Sequence, residues 1–170
     1  MKKFFAIVLV LAMCLVMAAC GNAAGSKMTM GTGGPSGTYY AYGGILGQYI
    51  KNNAGINVNA VSTGGSKDNI QGIDVGDYQL GTVQSDVMHY AWNGTRSFAE
   101  DGKIESFRTV AGLYAEAVQL VTVNPEIKSV SDLKGKKVSI GAPGSGVYFN
   151  AAYSRGLTDG YIRNAFADVH

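Results

Sequence analysis

The chain has 170 residues, of which 46% are apolar and 15% are charged, and its formal net charge is +2. This apolar fraction is too high for an intrinsically disordered chain, and 24 Gly beside 3 Pro without a repeat period exclude collagen-like and Pro-rich low-complexity sequences. A charge so close to zero gives no indication of nucleic-acid binding, and the length allows one ordinary domain or a small domain with part of a second.

Residues 1–19 have the layout of a signal peptide. Two lysines precede an uncharged apolar run over 4–16, and small residues then lead to Cys20. Counted on to Cys20, the apolar stretch has 17 residues, which is the short limit for crossing a bilayer and leaves a transmembrane anchor as the alternative. Removal of this segment takes away both lysines, so the 14 basic and 12 acidic side chains of the whole chain become 12 of each.

Cys20 adds a prediction about membrane attachment. Met-Ala-Ala-Cys at 17–20 resembles the bacterial lipobox, in which the cysteine becomes the lipidated first residue, and each buried CH₂ of such a chain contributes about 0.8 kcal/mol. Residues 20–26 then form a tether, and the protein is extracytoplasmic and lipid-anchored; plain secretion with an incidental cysteine is the alternative. Because Cys14 lies in the removed segment, no cysteine remains for a disulfide, a zinc site or a thiol nucleophile.

The next segment alternates between strands and helices three times, each pair joined by a loop of small residues. The predicted elements are a strand over 27–31, a helix over 39–51, a strand over 56–61, a helix from 66 to 74 or 75, a strand over 78–83 and a helix over 86–92. Ser66 and Asp86 are placed to cap their helices. In the first helix Tyr39, Tyr42 and Tyr49 share one face, which is expected to lie in the core or to line a groove.

The second half predicts further strands and a loop that echoes the first one. The expected elements are strands over 107–114 and 118–123, a short helix over 130–135, a strand over 138–140, a Gly-rich loop over 141–146 and a helix from 147. In both 31–40 and 141–150 a strand leads into a Gly, Ser and Pro loop, and aromatic residues then open a helix. The echo predicts two lobes that each offer one helix N-terminus, with chance similarity as the alternative.

The small-residue loops predict a site for an anionic ligand. A βαβ order gives a parallel sheet, and its ligands bind beyond the carboxyl ends of the strands. Backbone N–H groups at helix N-termini attract carboxylates and phosphates. For any single loop, a tight turn that lets the helix pack is the alternative. The residues that predict this site are Gly33, Gly34, Ser36, Gly37, Thr38, Tyr39, Tyr40, Ser62, Thr63, Gly64, Gly65 and Ser66.

The sequence offers little for catalysis, nucleotides or metals. Ser85, Asp86 and His89 are too close along the chain for a typical catalytic triad, and His170 is the last residue printed. Ser145 lacks the first glycine of a nucleophile elbow. The first Gly-rich loop is only near the dinucleotide fingerprint, and no P-loop or metal-ligand cluster is visible. We therefore expect neither cofactor nor metal, and no enzymatic activity.

Four motifs resemble those of the TAXI family, the extracytoplasmic solute-binding proteins of TRAP transporters. They are MGTGGPSGTYY at 30–40, STGGSKDNI at 62–70, DYQLGTVQSD at 77–86 and DLKGKKVSIGAPGSG at 132–146. The resemblance implies an α/β, periplasmic-binding-protein-like (type II) fold whose two lobes close on a solute at the hinge. It also implies a small organic acid, such as glutamate or 2-oxoglutarate, as the solute and a sodium-coupled TRAP permease as the partner.

By the same resemblance, five further residues face the ligand: Gln84, Ser85, Gly144, Ser145 and Gly146. Family members are longer, so we expect a largely present first lobe over 27–113 and an incomplete second lobe over 114–170, in a truncated or frameshifted form of a longer protein. A complete short protein that gains strands from a partner is the alternative. Two other function classes stay open, a cell-envelope enzyme and a surface lipoprotein that binds another protein.

Overall fold

The structure is a computed structural model that describes residues 27–153 and the backbone of 163–164. Its elements are β1 (Lys27–Gly31), α1 (Thr38–Ala54), β2 (Asn57–Val61), α2 (Ser66–Asp74), β3 (Leu80–Gly81), α3 (Ser85–Asn93), 3-10 turns at Arg96–Phe98 and Val130–Leu133, β4 (Lys137–Val138), α4 (Gly146–Tyr153) and β5 (Arg163–Asn164). The predicted signal peptide, the lipidation site at Cys20, the tether and His170 lie outside the described residues. Among the described residues, no helix is both long and apolar enough to span a bilayer.

The first three strands form one parallel sheet in the order β2-β1-β3. β1 lies at the centre, pairing from Lys27 with Asn57 to Gly31 with Val61, and its end also pairs with β3. The predicted α/β class with a parallel sheet is therefore confirmed. All three strands end at the same edge, and the small-residue loops that follow them lie there.

A hydrophobic core cluster lies among the helices. It is built from a buried cluster that joins α2, α3, the first 3-10 turn and α4: Ile70, Val87, Ala91, Phe98, Ile104 and Phe149. β4 and β5 form a separate two-stranded parallel sheet. Since Phe149 of α4 packs in the same cluster as α2 and α3, the Gly-rich loop before α4 is held near the loops of the first sheet. The two-lobed arrangement and the boundary at 113/114 stay predictions.

Helix α1 packs on the sheet with two glycines at its most buried positions, and only part of its apolar stripe is exposed. Gly43 and Gly47 are its buried residues, and a Cβ on Gly47 would lie 2.8 Å from the carbonyl oxygen of Val58. Ile45 and Tyr49, by contrast, are 71% and 65% exposed. The prediction that Tyr49 lies in the core or a groove is therefore wrong. A pattern of apolar side chains cannot indicate a face whose packing depends on having no side chain.

The predicted strands over 107–114 and 118–123 are wrong, because the structure has no strand or helix there. Val110 is 86% exposed and Val121 is 89% exposed. Strand propensity reports how well a side chain fits a paired, half-buried surface. Within the described residues no neighbouring strand pairs with this segment, so the propensity is not realised.

Two predicted helix caps are also wrong. α2 begins after Gly65, whose φ of 119° is a conformation that side chains disfavour, and Ser66 is its first helical residue. The Ser66 hydroxyl instead accepts the backbone N–H of Gln84 at 3.1 Å. Gln84, not Asp86, is the N-cap of α3, and its side chain makes no capping hydrogen bond.

Element boundaries differ in three further places. β3 has two residues, although a strand over 78–83 was expected. The short helix expected over 130–135 is a 3-10 turn, fixed by reciprocal hydrogen bonds between Ser129 and Asp132. The strand expected over 138–140 begins one residue earlier and ends at Val138. Gly55 ends α1 after Ala54, since it is left-handed at φ 69° and donates its N–H to the Lys51 carbonyl.

Candidate functional site

One buried amide joins the ends of the strands at the loop-bearing edge. Asn69 in α2 has no exposed surface, and its Nδ2 donates to the carbonyl oxygens of Thr32 at 2.6 Å and Thr82 at 2.8 Å. Its Oδ1 accepts the hydroxyl of Thr63 at 2.7 Å. Asn69 therefore connects the loops after β1, β2 and β3, and fixes where their remaining groups lie.

The loops after β1 and β2 are joined by hydrogen bonds of their own. The Ser62 hydroxyl and the Thr63 N–H both donate to the carbonyl of Gly33, at 3.0 and 3.2 Å. The Gly65 N–H donates to the Thr63 hydroxyl oxygen at 3.1 Å. In this loop pair, several donors that the sequence assigned to a ligand have partners inside the protein.

The loop before α4 contacts the N-terminus of α2. The side chain of Asp68, in the first turn of α2, hydrogen-bonds to the loop that precedes this helix. Gly144 accepts the N–H of Lys67 at 3.1 Å, and a Cβ on Gly65 would lie 3.1 Å from the Cα of Ser145. The carboxylate of Asp68 accepts the Gly64 N–H at 2.9 Å. The two Gly-rich loops are therefore brought together, but protein oxygens already face the N-terminus of α2.

Helix α1 presents its N-terminus differently. Its N-cap is Gly37, which has no side chain to cap the helix, and its first turn contains no acidic residue. Ser36 and Thr38 flank this point and are exposed. The first four N–H groups of a helix have no partner within it, and they carry the positive end of the helix dipole. The 17-residue α1 thus offers an uncapped N-terminus at the carboxyl edge of the sheet.

Two predicted site residues meet at a third that the sequence did not indicate. The Tyr39 hydroxyl and the Gln84 Nε2 donate to the same carboxylate oxygen of Glu116, at 3.1 and 2.8 Å. The amide oxygen of Gln84 accepts the Asn150 side chain at 3.4 Å, and a Cβ on Gly146 would collide with the Gln84 side chain. Tyr39, Gln84 and Gly146 therefore come together in the structure, and Glu116 lies beside them.

The charge of Glu116 acts on the phenols around it. The pKa of Tyr39 is raised well above its usual value, first by burial, then by the Glu116 charge and the hydrogen bond to it, while a hydrogen bond with Ser66 acts in the opposite direction. Burial and the same carboxylate raise the pKa of Tyr114. At neutral pH both phenols therefore keep their protons and act as neutral donors.

Other predicted site residues lie in solvent-exposed positions. Those that are exposed are Gly34, Ser36, Thr38, Tyr40, Ser62 and Ser85. The Ser62 hydroxyl donates to the Gly33 carbonyl. The Ser145 hydroxyl accepts the Tyr148 N–H at 3.1 Å and so caps α4. The structure places these residues at the rim of the loop-bearing edge, and their ligand contacts stay predictions.

Sequence reasoning missed Asn69 and Glu116 for different reasons. Asn69 sits beside Ile70 inside a helix that packs on the core, and a polar side chain in such a position signals a buried hydrogen bond. Glu116 lies 77 residues from Tyr39 along the chain, between the two strands that were expected over 107–114 and 118–123. No local pattern indicates such a contact.

Two alternative sites have weaker support. A surface groove of about 420 Å³ is lined by Lys27, Lys51 and the first residues of β2, and so lies at the amino ends of the strands. In parallel sheets ligands bind at the opposite end, so we place the site at the loops. His89 is exposed and accepts the Asn93 side chain on its backbone carbonyl. Within 27–153 no three His, Cys, Asp or Glu side chains are grouped to hold a metal ion.

A comparison with known protein families gives a match that covers most of the chain. The family model of the NMT1-like family matches residues 30–154 of the chain. The matched range begins within β1 and ends just after α4. It therefore includes the three-stranded sheet, all of the loops described above and every predicted ligand-binding residue.

Proposed function

Because the chain belongs to the NMT1-like family, a periplasmic solute-binding family related to the binding proteins of TRAP and ABC transporters, we propose that it binds a small carboxylate solute outside the cytoplasm. Members of such families are generally not enzymes. We further propose that it delivers the solute to a TRAP-type sodium-coupled permease, as the TAXI resemblance implies. In the two-lobed type II arrangement, the second lobe closes over the loop-bearing edge.

The observation that carries this proposal is the uncapped N-terminus of α1. It follows a Gly-rich loop at the carboxyl edge of a parallel sheet, where ligands of such sheets bind. Its first turn lacks an acidic side chain, so a ligand carboxylate meets no competitor within the helix. The exposed hydroxyls of Ser36 and Thr38 add donors for the same group.

The test places a carboxylate where the ligand carboxylate would bind. In Thr38→Glu the new side chain lies in the first turn of α1, where it is favourable to the helix dipole and does not unfold the helix. Binding of L-glutamate, 2-oxoglutarate and succinate to the purified full chain is measured by calorimetry. We expect at least one to bind, and Thr38→Glu to weaken that binding by about tenfold or more.

The matched control is Gln48→Glu, which adds the same charge at an exposed position further along α1. We expect it to bind like the unchanged chain. The proposal is wrong if no carboxylate binds at millimolar concentration, or if Thr38→Glu and Gln48→Glu bind equally well. Turnover of a bound carboxylate would instead indicate an enzyme.

We also propose that Cys20 is lipidated and holds the protein at the outer face of a membrane. The lipobox-like motif at 17–20 supports this, because the lipidated cysteine of such a motif becomes the first residue. Cells fed a labelled fatty acid should incorporate label into the chain, and Cys20→Ser should abolish it. Equal labelling of Cys20→Ser would contradict the anchor without affecting the proposed solute site.

A further inference from the structure

The carboxylate of Glu116 is held at the loop-bearing edge by residues of two other elements. Glu116 comes from the segment without secondary structure between the first 3-10 turn and the second, yet its carboxylate is held by donors from two different helical elements. Tyr39 belongs to the first turn of α1, and Gln84 is the N-cap of α3. These contacts fix an acidic side chain beside the N-terminus of α1.

Both donors to Glu116 are neutral groups, so these hydrogen bonds orient the carboxylate without compensating its charge. The side chain is exposed, so a solute that enters from solvent can reach it. After burial, which is the larger cause, the charge of Glu116 raises the pKa values of Tyr39 and Tyr114. A fixed negative charge attracts a cationic group and repels an anionic one.

We propose that Glu116 is a specificity-determining residue that favours solutes carrying an ammonium group beside the bound carboxylate over solutes without one. The N-terminus of α1 takes the carboxylate, and Glu116 takes the ammonium through a charge-assisted hydrogen bond. The inference rests on the proposed function and deepens it, because it selects amino acids from the small acids that the loops alone would accept.

The test compares two probes that differ at one group. L-Glutamate and 2-oxoglutarate share a carbon skeleton, but the first has an ammonium where the second has a ketone. We expect the full chain to bind L-glutamate roughly three- to tenfold more tightly, as befits a partly exposed charge pair. Glu116→Gln keeps the shape and an acceptor oxygen but removes the charge, and should bring the ratio of dissociation constants close to one.

Two further variants make the result specific. Glu116→Asp retains the charge and should retain a preference for L-glutamate, which separates the charge from a folding defect. Glu126→Gln removes an exposed carboxylate elsewhere and should keep the ratio of the unchanged chain.

The inference is overturned if the unchanged chain prefers 2-oxoglutarate, or if folded Glu116→Gln keeps the original ratio. Those results leave the proposed function intact where Thr38→Glu still weakens binding and Gln48→Glu does not. If neither probe nor succinate binds the unchanged chain, the proposed function itself fails, and this inference fails with it.

Discussion

Asn69 uses both of its amide protons and its amide oxygen to hold loops. Replacing it with alanine leaves the carbonyls of Thr32 and Thr82 without their buried donor. An unsatisfied buried group costs about 1–3 kcal/mol, so we expect Asn69→Ala to lower the free energy of unfolding by about 3 kcal/mol. Urea titration of the full chain measures the change.

The control for this prediction is Asn52→Ala, an exposed amide near the end of α1 that accepts only the Gln48 side chain. We expect a change within about 0.5 kcal/mol there. Equal effects of the two substitutions would show that the Asn69 hydrogen bonds do not stabilise the loops.

Tyr39 provides a prediction about how the stability of the protein depends on pH. Its phenol should titrate above the usual pKa of 10, and Glu116→Gln should lower that pKa, because the Glu116 charge is one of its causes. In the folded state the proton is held more tightly than in the unfolded state. The stability from this group is therefore fully present below pH 10 and is lost as the pH rises through the folded pKa.

Ring-proton NMR of Tyr39 across an alkaline titration measures this value. A pKa at or below the usual one would contradict the contact with Glu116. A raised pKa that Glu116→Gln leaves unchanged would also contradict this contact, provided that Tyr39 stays buried in the variant.

Helix α1 provides a matched pair of glycines for a prediction about packing. A Cβ on Gly47 would press on the backbone carbonyl of Val58 at 2.8 Å, whereas a Cβ on Gly44 has no atom within 4 Å. Alanine is favoured over glycine in a helix interior by about 1 kcal/mol. We therefore expect Gly44→Ala to raise the free energy of unfolding and Gly47→Ala to lower it, although both substitutions improve helix propensity.

Thermal unfolding tests this prediction: Gly44→Ala should raise Tm, and Gly47→Ala should lower it. If Gly47→Ala also raised Tm, α1 would not approach β2 as closely as the structure shows. Opposite signs would show that the close approach of α1 to β2 requires a residue without a side chain at Gly47.

The elements that the sequence predicted well are those with local signals. β1, β2 and the first three helices follow from periodicity and from glycines at loop and helix ends, such as Gly55. The extended segment over 107–123 could not be predicted, because strand formation depends on a partner that local residues do not reveal. At the candidate site, Tyr39 and Gln84 were predicted from loop position and family resemblance, whereas Glu116 is indicated only by its long-range contact with them.

Across the molecule, we expect the hydrogen-bonded sheet to be locally more stable than the segment over 109–123. β1 is hydrogen-bonded on both sides, while the segment has no strand pairing within the described residues and exposes several valines. Amides without such pairing exchange with solvent at low free-energy cost. We expect hydrogen exchange at neutral pH to label 109–123 far earlier than 27–31, as mass spectrometry of peptides would show.

Slow exchange over 109–123 would mean that another strand pairs with this segment in solution. Its dependence on protein concentration then identifies the source. Protection that increases with concentration indicates pairing between copies through the exposed valines, because an exposed apolar strand edge associates readily. Protection that is independent of concentration indicates pairing within one chain. In either case Glu116 would lie on an ordered strand, and its carboxylate would be held beside α1 by backbone as well as by Tyr39 and Gln84.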